Sequence, residues 1–593
     1  MKKILLVLLV SCLFVQCKNK QAAGSASDNN KELANVLEQY FDEKMQLFPL
    51  EATINGDNRF NNLLPADFTD SYRSKLKDFY TKNTAAIKTI SRDSLNENDK
   101  ISYDIFTYEM HMALEGLSFK TNYQPFDQFN AVPLMLGQMG GGTGNQPFKT
   151  VVDYDNWLGR AAAFSNWTDS AIVYFKKGIA AKYVLPKALV VKMIPQLQFI
   201  VSDSATVSIF YLPIKNMPAT FSDSDKIRLT GLYTTLIQKQ LVPAYKKLYT
   251  FLQTEYLPAA RTTTGVNALP DGEAYYNYQV KYWTTTSKTP TAIYNTGLSE
   301  VKRIRTIMDS IKNAVHFTGD LNAFFEFMKT DKRFMPYKNA EEILNAFRKI
   351  QERIEPNLKN IFIKTPKTKF EIRQTEAFRA ASASAEYYQG LVDGSRPGIF
   401  YVPIIDATKF NTTSGMESLF LHEAIPGHHY QMSLQMENDR LPKFRKFIWY
   451  GAYGEGYALY CESLGKELGL YTDPYQYMGA LGDEVHRAIR LVVDVAMHTG
   501  KMTREDAIKY MMANEAIDEG GATAEIERYM AYPAQALGYK TGALKIKELR
   551  ERYAVRLGDK FKLSEFHDAF LRDGCMPLDV LETKMNEWAK SQQ

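Results

Sequence analysis

Of 593 residues only eight are histidine, and His422, His428 and His429 all fall within HEAIPGHHYQ, residues 422–431. A His-Glu pair followed by a second histidine on the same helix face lets zinc hydrolases bring two imidazoles to one ion and a carboxylate to its water. At 3.6 residues per turn that geometry calls for a spacing of four, and here the fourth position is Pro426. His428, at i+6, would stand about 120° round a regular helix from His422, whereas His429, at i+7, regains the face one turn too far along. Proline removes an amide donor and clashes with the preceding turn, and glycine tolerates unusual torsions. The Pro426-Gly427 step therefore predicts a bulge that returns His428 to the face of His422. His428 is the expected ligand and His429 the alternative.

A third ligand is expected from a carboxylate on a neighbouring helix. GEGYALYCESLGKELG supplies Glu455 and, two turns later on nearly the same face, Glu462. Glu455 is the better placed, which leaves Glu462 to orient a ligand or to replace Glu455. Two imidazoles and one carboxylate leave zinc an open position for water, whose pKa falls to about 7, and Glu423 is placed to take the proton. One zinc per chain and hydrolytic chemistry follow. The competing reading makes the histidines loop or capping residues and EGYALYCE an amphipathic helix with solvated glutamates.

The elements that would position these residues are mostly helices. LANVLEQYFDEKMQLFP, TAIYNTGLSEVKRIRTIMDSIKNAV, AEEILNAFRKIQERIEPNLKNIF, DEVHRAIRLVVDVAMHTG and REDAIKYMMANEA all carry apolar residues at helical spacing. The clearest strand is GIFYVPII, residues 398–405, rich in β-branched and aromatic residues just upstream of the histidines. GQMGGGTG, residues 137–144, lacks the Lys-Ser/Thr ending of a phosphate loop and reads as a mobile loop. The length permits several domains, but no repeat or Pro/Gly/Ser-rich linker divides the chain, so residues 31–593 read as one large helical domain.

Composition narrows the function classes. With 45% hydrophobic and 23% charged residues the chain is an ordered globular protein, and 13% aromatics suit an aromatic-lined cleft. A net charge of +5, spread without basic runs, leaves nucleic acid no electrostatic footprint. Two lysines precede an apolar run from Ile4 to Val15, too short for a permanent span but suited to a signal peptide. Residues 1–17 thus read as a signal ending in a lipoprotein-type cysteine, with Cys17 as the acylation site and residues 18–30 as a flexible tether. LVSC, ending at Cys12, fits the usual lipobox better but leaves an unusually short signal. Only Cys461 and Cys575 remain beyond it, too few for a disulfide framework.

HEAIPGHHYQ, with SRPGIFYV before it and EGYALYCESLG after it, resembles the bacterial family called domain of unknown function 885. The similarity extends to LPDGEAYYNYQVKYWTTT, DEVHRAIRLVVD and EIERYMAYPAQALGYKTG, and so over nearly the whole mature chain. That family is similar to the gluzincin metallopeptidases, which implies a mostly α, two-lobed fold with a small sheet edging a deep central cleft. On the resemblance, His422 and His428 match the imidazole ligands, Glu423 the general base and Glu455 the acidic ligand. The two residues inserted before Gly427-His428 depart from the gluzincin pattern. The resemblance further implies that a strand edging the cleft, here Gly398 to Pro403 with Phe400 and Tyr401, pairs with the substrate backbone. An oxyanion donor is expected among His498, Tyr529 and Tyr539, and Arg487 and Arg490 are candidates to hold a substrate carboxylate.

The expected protein is a zinc hydrolase of the bacterial cell envelope, lipid-anchored and facing the periplasm or the cell surface. It would cleave peptide bonds as an oligopeptidase or carboxypeptidase. Its rivals are an inactive envelope binding lipoprotein of the same fold and a zinc hydrolase of other amides or esters.

Overall fold

Helix starts in the sequence become capped helices in the fold. The Asn30 side chain accepts the Leu33 amide at the head of Lys31–Leu47, and Thr289 caps Pro290–Ala314 with proline in its first turn. Thr150 with Asp153 and Thr503 with Asp506 form reciprocal capping boxes. The computed structural model describes residues 30–202, 204–376, 380 and 384–593. The signal segment, Cys12, Cys17 and all of the tether before Asn30 lie outside the described residues. The fold is mostly helical with one small three-stranded sheet. Among the described residues no helix is long and apolar enough to cross a membrane.

Apolar spacing decides which helix faces turn inward. In Ala340–Ile361 the buried residues Ile343, Phe347, Ile350, Ile354, Leu358 and Ile361 recur every three or four positions, each worth about 1.5–3 kcal/mol relative to exposure. This stripe packs under the sheet, with the rings of Phe347 and Phe400 5.2 Å apart. The second half of Pro474–His498 is buried on every side, and Gly297 of Pro290–Ala314 lies against it where a Cβ would come within 2.8 Å of Leu491. Gly456 and Gly542 bring Gly451–Glu462 and Leu537–Leu557 together. A Cβ on Gly542 would lie 1.8 Å from the Ala452 carbonyl, so only glycine permits that approach.

The sheet corrects one expectation. Strands β1 (Phe370–Gln374), β2 (Glu386–Tyr388) and β3 (Gly398–Val402) are ordered β1-β3-β2, so the strand expected to edge the cleft is the central one. β1 pairs with it in parallel and β2 antiparallel, which occupies both of its backbone edges. A substrate strand would have to add to β1 or β2. The glycine-rich stretch is a loop only in its second half: residues 137–140 end the helix Val132–Gly140, where a Cβ on Gly140 would strike Trp157 at 2.3 Å, and residues 141–144 are turns and bends. Cys461 and Cys575 are buried, unpaired thiols.

Candidate metal centre

His422 and Glu423 end the helix Met416–Glu423, and His428 begins the helix His428–Met436. The expected bulge within one helix is therefore a break between two. Ala424 and Gly427 leave helical torsions, with ψ of −111° and −123°, and the Ile425-Pro426 peptide is cis. Gly427 is tucked against the preceding turn so closely that a Cβ would lie 1.9 Å from the His422 carbonyl oxygen. The Tyr457 hydroxyl donates to the Pro426 carbonyl at 3.2 Å, and the His429 amide donates to the Ala424 carbonyl. Both bonds hold the two helices in register across the break.

Across this break the rings of His422 and His428 face each other at nearly a right angle, centroids 5.0 Å apart. Their Nε2 atoms lie 3.4 and 3.5 Å from the same oxygen, Oε2 of Glu455, which comes from Gly451–Glu462. His422, Glu423 and His428 also offer ligand atoms all within 4.8 Å of one another. Glu462 approaches His422 from its other side, Oε1 to Nδ1 at 2.7 Å. Burial alone would keep His422 neutral, but these carboxylates, one at each ring nitrogen, push it up to about 10. Glu455 is half-buried, and against the cost of desolvation it is held well below the usual carboxylate range by His428 and His422. The cluster thus stabilises positive charge at the point where the three donors meet. The residues fit a metal ion in type and convergence, although Nδ1 of His428 is buried without a hydrogen-bond partner among the described residues.

His429 turns away from this cluster toward the sheet. Its Nδ1 lies 2.9 Å from the Tyr387 hydroxyl and its ring 5.0 Å from Phe370. Burial lowers its pKa to about 4, so it is a neutral packing residue. Gly398 has no side chain because a Cβ would meet Tyr387 and His429, and Phe400 is fully buried. Tyr401 packs on Tyr388 across the sheet. Phe400 and Tyr401 are paired to β1 on one side and β2 on the other, and Gly398 is paired to β1.

The model for bacterial proteins of unknown function, DUF885, matches residues 49–585. The chain belongs to the DUF885 family. Among solved structures, this DUF885 chain is similar to a candidate lipoprotein from Colwellia psychrerythraea, at 29% identity and a TM-score of 0.86, covering 94% of this chain and 99% of that one. A candidate lipoprotein of unknown function from Shewanella oneidensis shares the fold at 20% identity and a TM-score of 0.76, over 93% of this chain and 99% of that one. A carboxypeptidase from Pyrococcus furiosus reaches only 9% identity and a TM-score of 0.39, over 95% and 99% of the two chains, too distant to carry an argument. Among curated proteins, none matches.

The downstream residues of this DUF885 chain divide by what their polar atoms already do. Both ring nitrogens of His498 are used by backbone: Nδ1 accepts the Val266 amide at 3.1 Å and Nε2 donates to the Tyr529 carbonyl at 3.0 Å. That leaves nothing for an oxyanion. The Tyr529 hydroxyl is buried between Arg490 and Glu525. Arg490 is committed as well, to Tyr529, Glu525 and His486. Its guanidinium is not free to anchor a substrate carboxylate. Tyr539, half-buried with the Arg490 guanidinium 4.8 Å over its ring, keeps a hydroxyl without a hydrogen bond among the described residues. Arg487 donates to Asp483 and keeps a buried Nε without a partner among the described residues. It lines a cavity of about 710 Å³ with Met308, Met328 and Met478.

Sequence reasoning missed several supports of the site. Trp449 sets its ring 5.9 Å from His428 and lies on Gly454, where a Cβ would be 2.1 Å from the indole. A glycine inside a helix, directly before a candidate ligand, was the available signal. Asp483 accepts from Ser418 at 2.6 Å and so braces the helix that carries His422 and Glu423. Nothing in the local spacing pointed to it.

Proposed function

We propose that this chain is a zinc-dependent hydrolase of the bacterial cell envelope that cleaves peptide bonds, held at the membrane through an acylated Cys17. The observation that carries the reading is the approach of Nε2 of His422 and of His428 to one Glu455 oxygen, at 3.4 and 3.5 Å. Ligands about 2.0–2.1 Å from a tetrahedral zinc stand roughly 3.4 Å from one another, so this spacing supports that ion. His422, His428 and Glu455 would hold it, and Glu462 would fix the His422 ring. When bound, zinc polarises a substrate carbonyl and brings the pKa of a coordinated water to about 7.

The chain's own groups supply the rest. Glu423 follows His422 directly and stands within the same group of ligand atoms, so its carboxylate takes a proton from the attacking water and passes it to the leaving amine. Tyr539 has a hydroxyl to spare for the oxyanion, which His498 and Tyr529 do not. The envelope location rests on the Lys2-Lys3 start, the apolar run before Cys17 and the likeness to candidate lipoproteins of two other bacteria.

The test is metal analysis of the purified mature protein, followed by a mixed-peptide digest read by mass spectrometry. About one zinc per chain with cleavage that chelator abolishes is the expected result. Full zinc with no cleavage of any peptide, amide or ester would make the chain an envelope binding protein, and absence of metal uptake would overturn the reading.

A further inference from the structure

A cavity of about 690 Å³ opens between the N-terminal helices and the helix Gly272–Thr284, with Tyr40, Tyr80, Tyr278, Tyr282, Trp283 and Glu109 among its lining residues. None of the candidate metal ligands lines it. Its aromatic wall is continuous: Tyr278 and Tyr282 are 6.0 Å apart and Tyr282 and Trp283 5.2 Å.

The charged groups along the wall differ in what meets them. Lys44 is paired with Glu51 at 2.7 Å. Arg73 donates to the Leu117 and Phe119 carbonyls, and Arg261 to those of Val184, Thr263 and Gly265. Asp127 accepts the amides of Phe129 and Asn130. Glu109 has only the Tyr450 hydroxyl, at 2.7 Å, and no cation within ion-pair distance among the described residues. Burial raises its pKa, against the Tyr450 hydrogen bond and the charge of Lys44 on the same wall, and its charge in turn opposes ionisation of Tyr40, Tyr80, Tyr278 and Tyr282, which line the cavity with it.

A half-buried carboxylate with no ion-pair partner is stabilised when a cation meets it. Aromatic faces attract a cation that carries its own apolar stem, and they offer no ligands to a bare metal ion. We propose that this cavity binds an alkylammonium group, with the ammonium against Glu109 and the alkyl stem among Tyr80, Tyr278, Tyr282 and Trp283. The ammonium belongs either to an amino terminus or to a lysine side chain. Tyr450, which holds Glu109, directly precedes the helix carrying Glu455, so an amine seated here lies beside the helix that contributes to the metal cluster. The inference does not rest on the peptidase reading.

Calorimetric titration of the mature protein with n-butylammonium and with 1-butanol tests it. The amine should saturate one site and the alcohol should not. Glu109→Gln keeps an acceptor for Tyr450 and the same size, and should weaken amine binding by about 10-fold or more. Tyr282→Leu, at a position 44% exposed, should weaken it several-fold with the fold intact by circular dichroism. Binding of Nα-acetyl-lysine amide without glycine amide would identify a lysine side chain as the natural group, and the reverse an amino terminus. Failure to saturate, equal affinity for butanol, or unchanged affinity in a folded Glu109→Gln protein would overturn the proposal.

Discussion

Oε1 of Glu462 lies 2.7 Å from Nδ1 of His422, on the side of the ring opposite the nitrogen that meets Glu455. One imidazole is thus held between two carboxylates from the same helix, one at the convergence point and one behind it. Such a partner fixes the tautomer and angle of the ring, so that Nε2 presents its lone pair to an ion.

That arrangement separates the two glutamates by experiment. Glu462→Gln should lower zinc affinity by about 10–100-fold, the usual cost of losing a group behind a ligand. Glu455→Gln should lower it further, because the anionic donor itself is lost. Competition with a chromophoric chelator measures both, and equal affinities in the two variants would erase the distinction.

Glu423→Gln keeps the size and polarity of the side chain but removes the base. Zinc content should match wild type while peptide cleavage falls by about 10²–10⁴-fold, the typical contribution of positioned proton transfer. Undiminished cleavage at full zinc would assign the proton to another group.

Gly427→Ala should damage the site from the backbone. The added Cβ would lie 1.9 Å from the His422 carbonyl oxygen and 2.4 Å from that of Leu421. Neither oxygen can rotate away, so the two helices must separate, at about 1–3 kcal/mol or more. Loss of metal uptake should accompany the fall in Tm. Gly451→Ala, with nothing within 4 Å of its Cβ, is the neutral control, and similar behaviour of the two variants would refute the account.

Stability should also carry a signature of Asp494. Burial raises its pKa to about 7, although Tyr276 and the Ala534 amide donate to it and pull the other way. An unfolded aspartate titrates near 3.9. Between about pH 4 and 7 the folded chain therefore holds a proton that the unfolded chain has lost, and stability falls as pH rises, by about 1.4 kcal/mol per unit for this group. Asp494→Asn should remove that slope, gaining on wild type from pH 5 to pH 7.5 in denaturant titrations. Parallel pH profiles would show that Asp494 does not carry it.

The helices were legible because their signals are local. Helices read from their apolar spacing are present, capped by Asn30, Thr289 and Thr503, and the stripe from Ile343 to Ile361 buries the face its period defined. The strand Gly398–Val402 was legible as a strand but not as the central one. Its β-branched and aromatic residues record burial, and burial is equally compatible with an edge covered by helices. The same limit applies to Arg487 and Arg490. They were candidates to hold a substrate carboxylate, whereas the guanidinium of Arg490 is met by Glu525 and Tyr529 from a separate helix.

By itself the sequence determined the donor types and their order: two histidines, a glutamate beside the first, and two further glutamates at helical spacing downstream. It also determined that the Pro426-Gly427 step interrupts a regular helix, since proline lacks the amide and clashes with the preceding turn and glycine tolerates unusual torsions. Only the tertiary structure decided which histidine faces Glu455. A six-residue and a seven-residue spacing differ by a rotation that the torsions of Ala424 and Gly427 set, and those torsions are held by Tyr457 from another helix. Such contacts depend on where distant segments pack, and no local pattern of residue types encodes that.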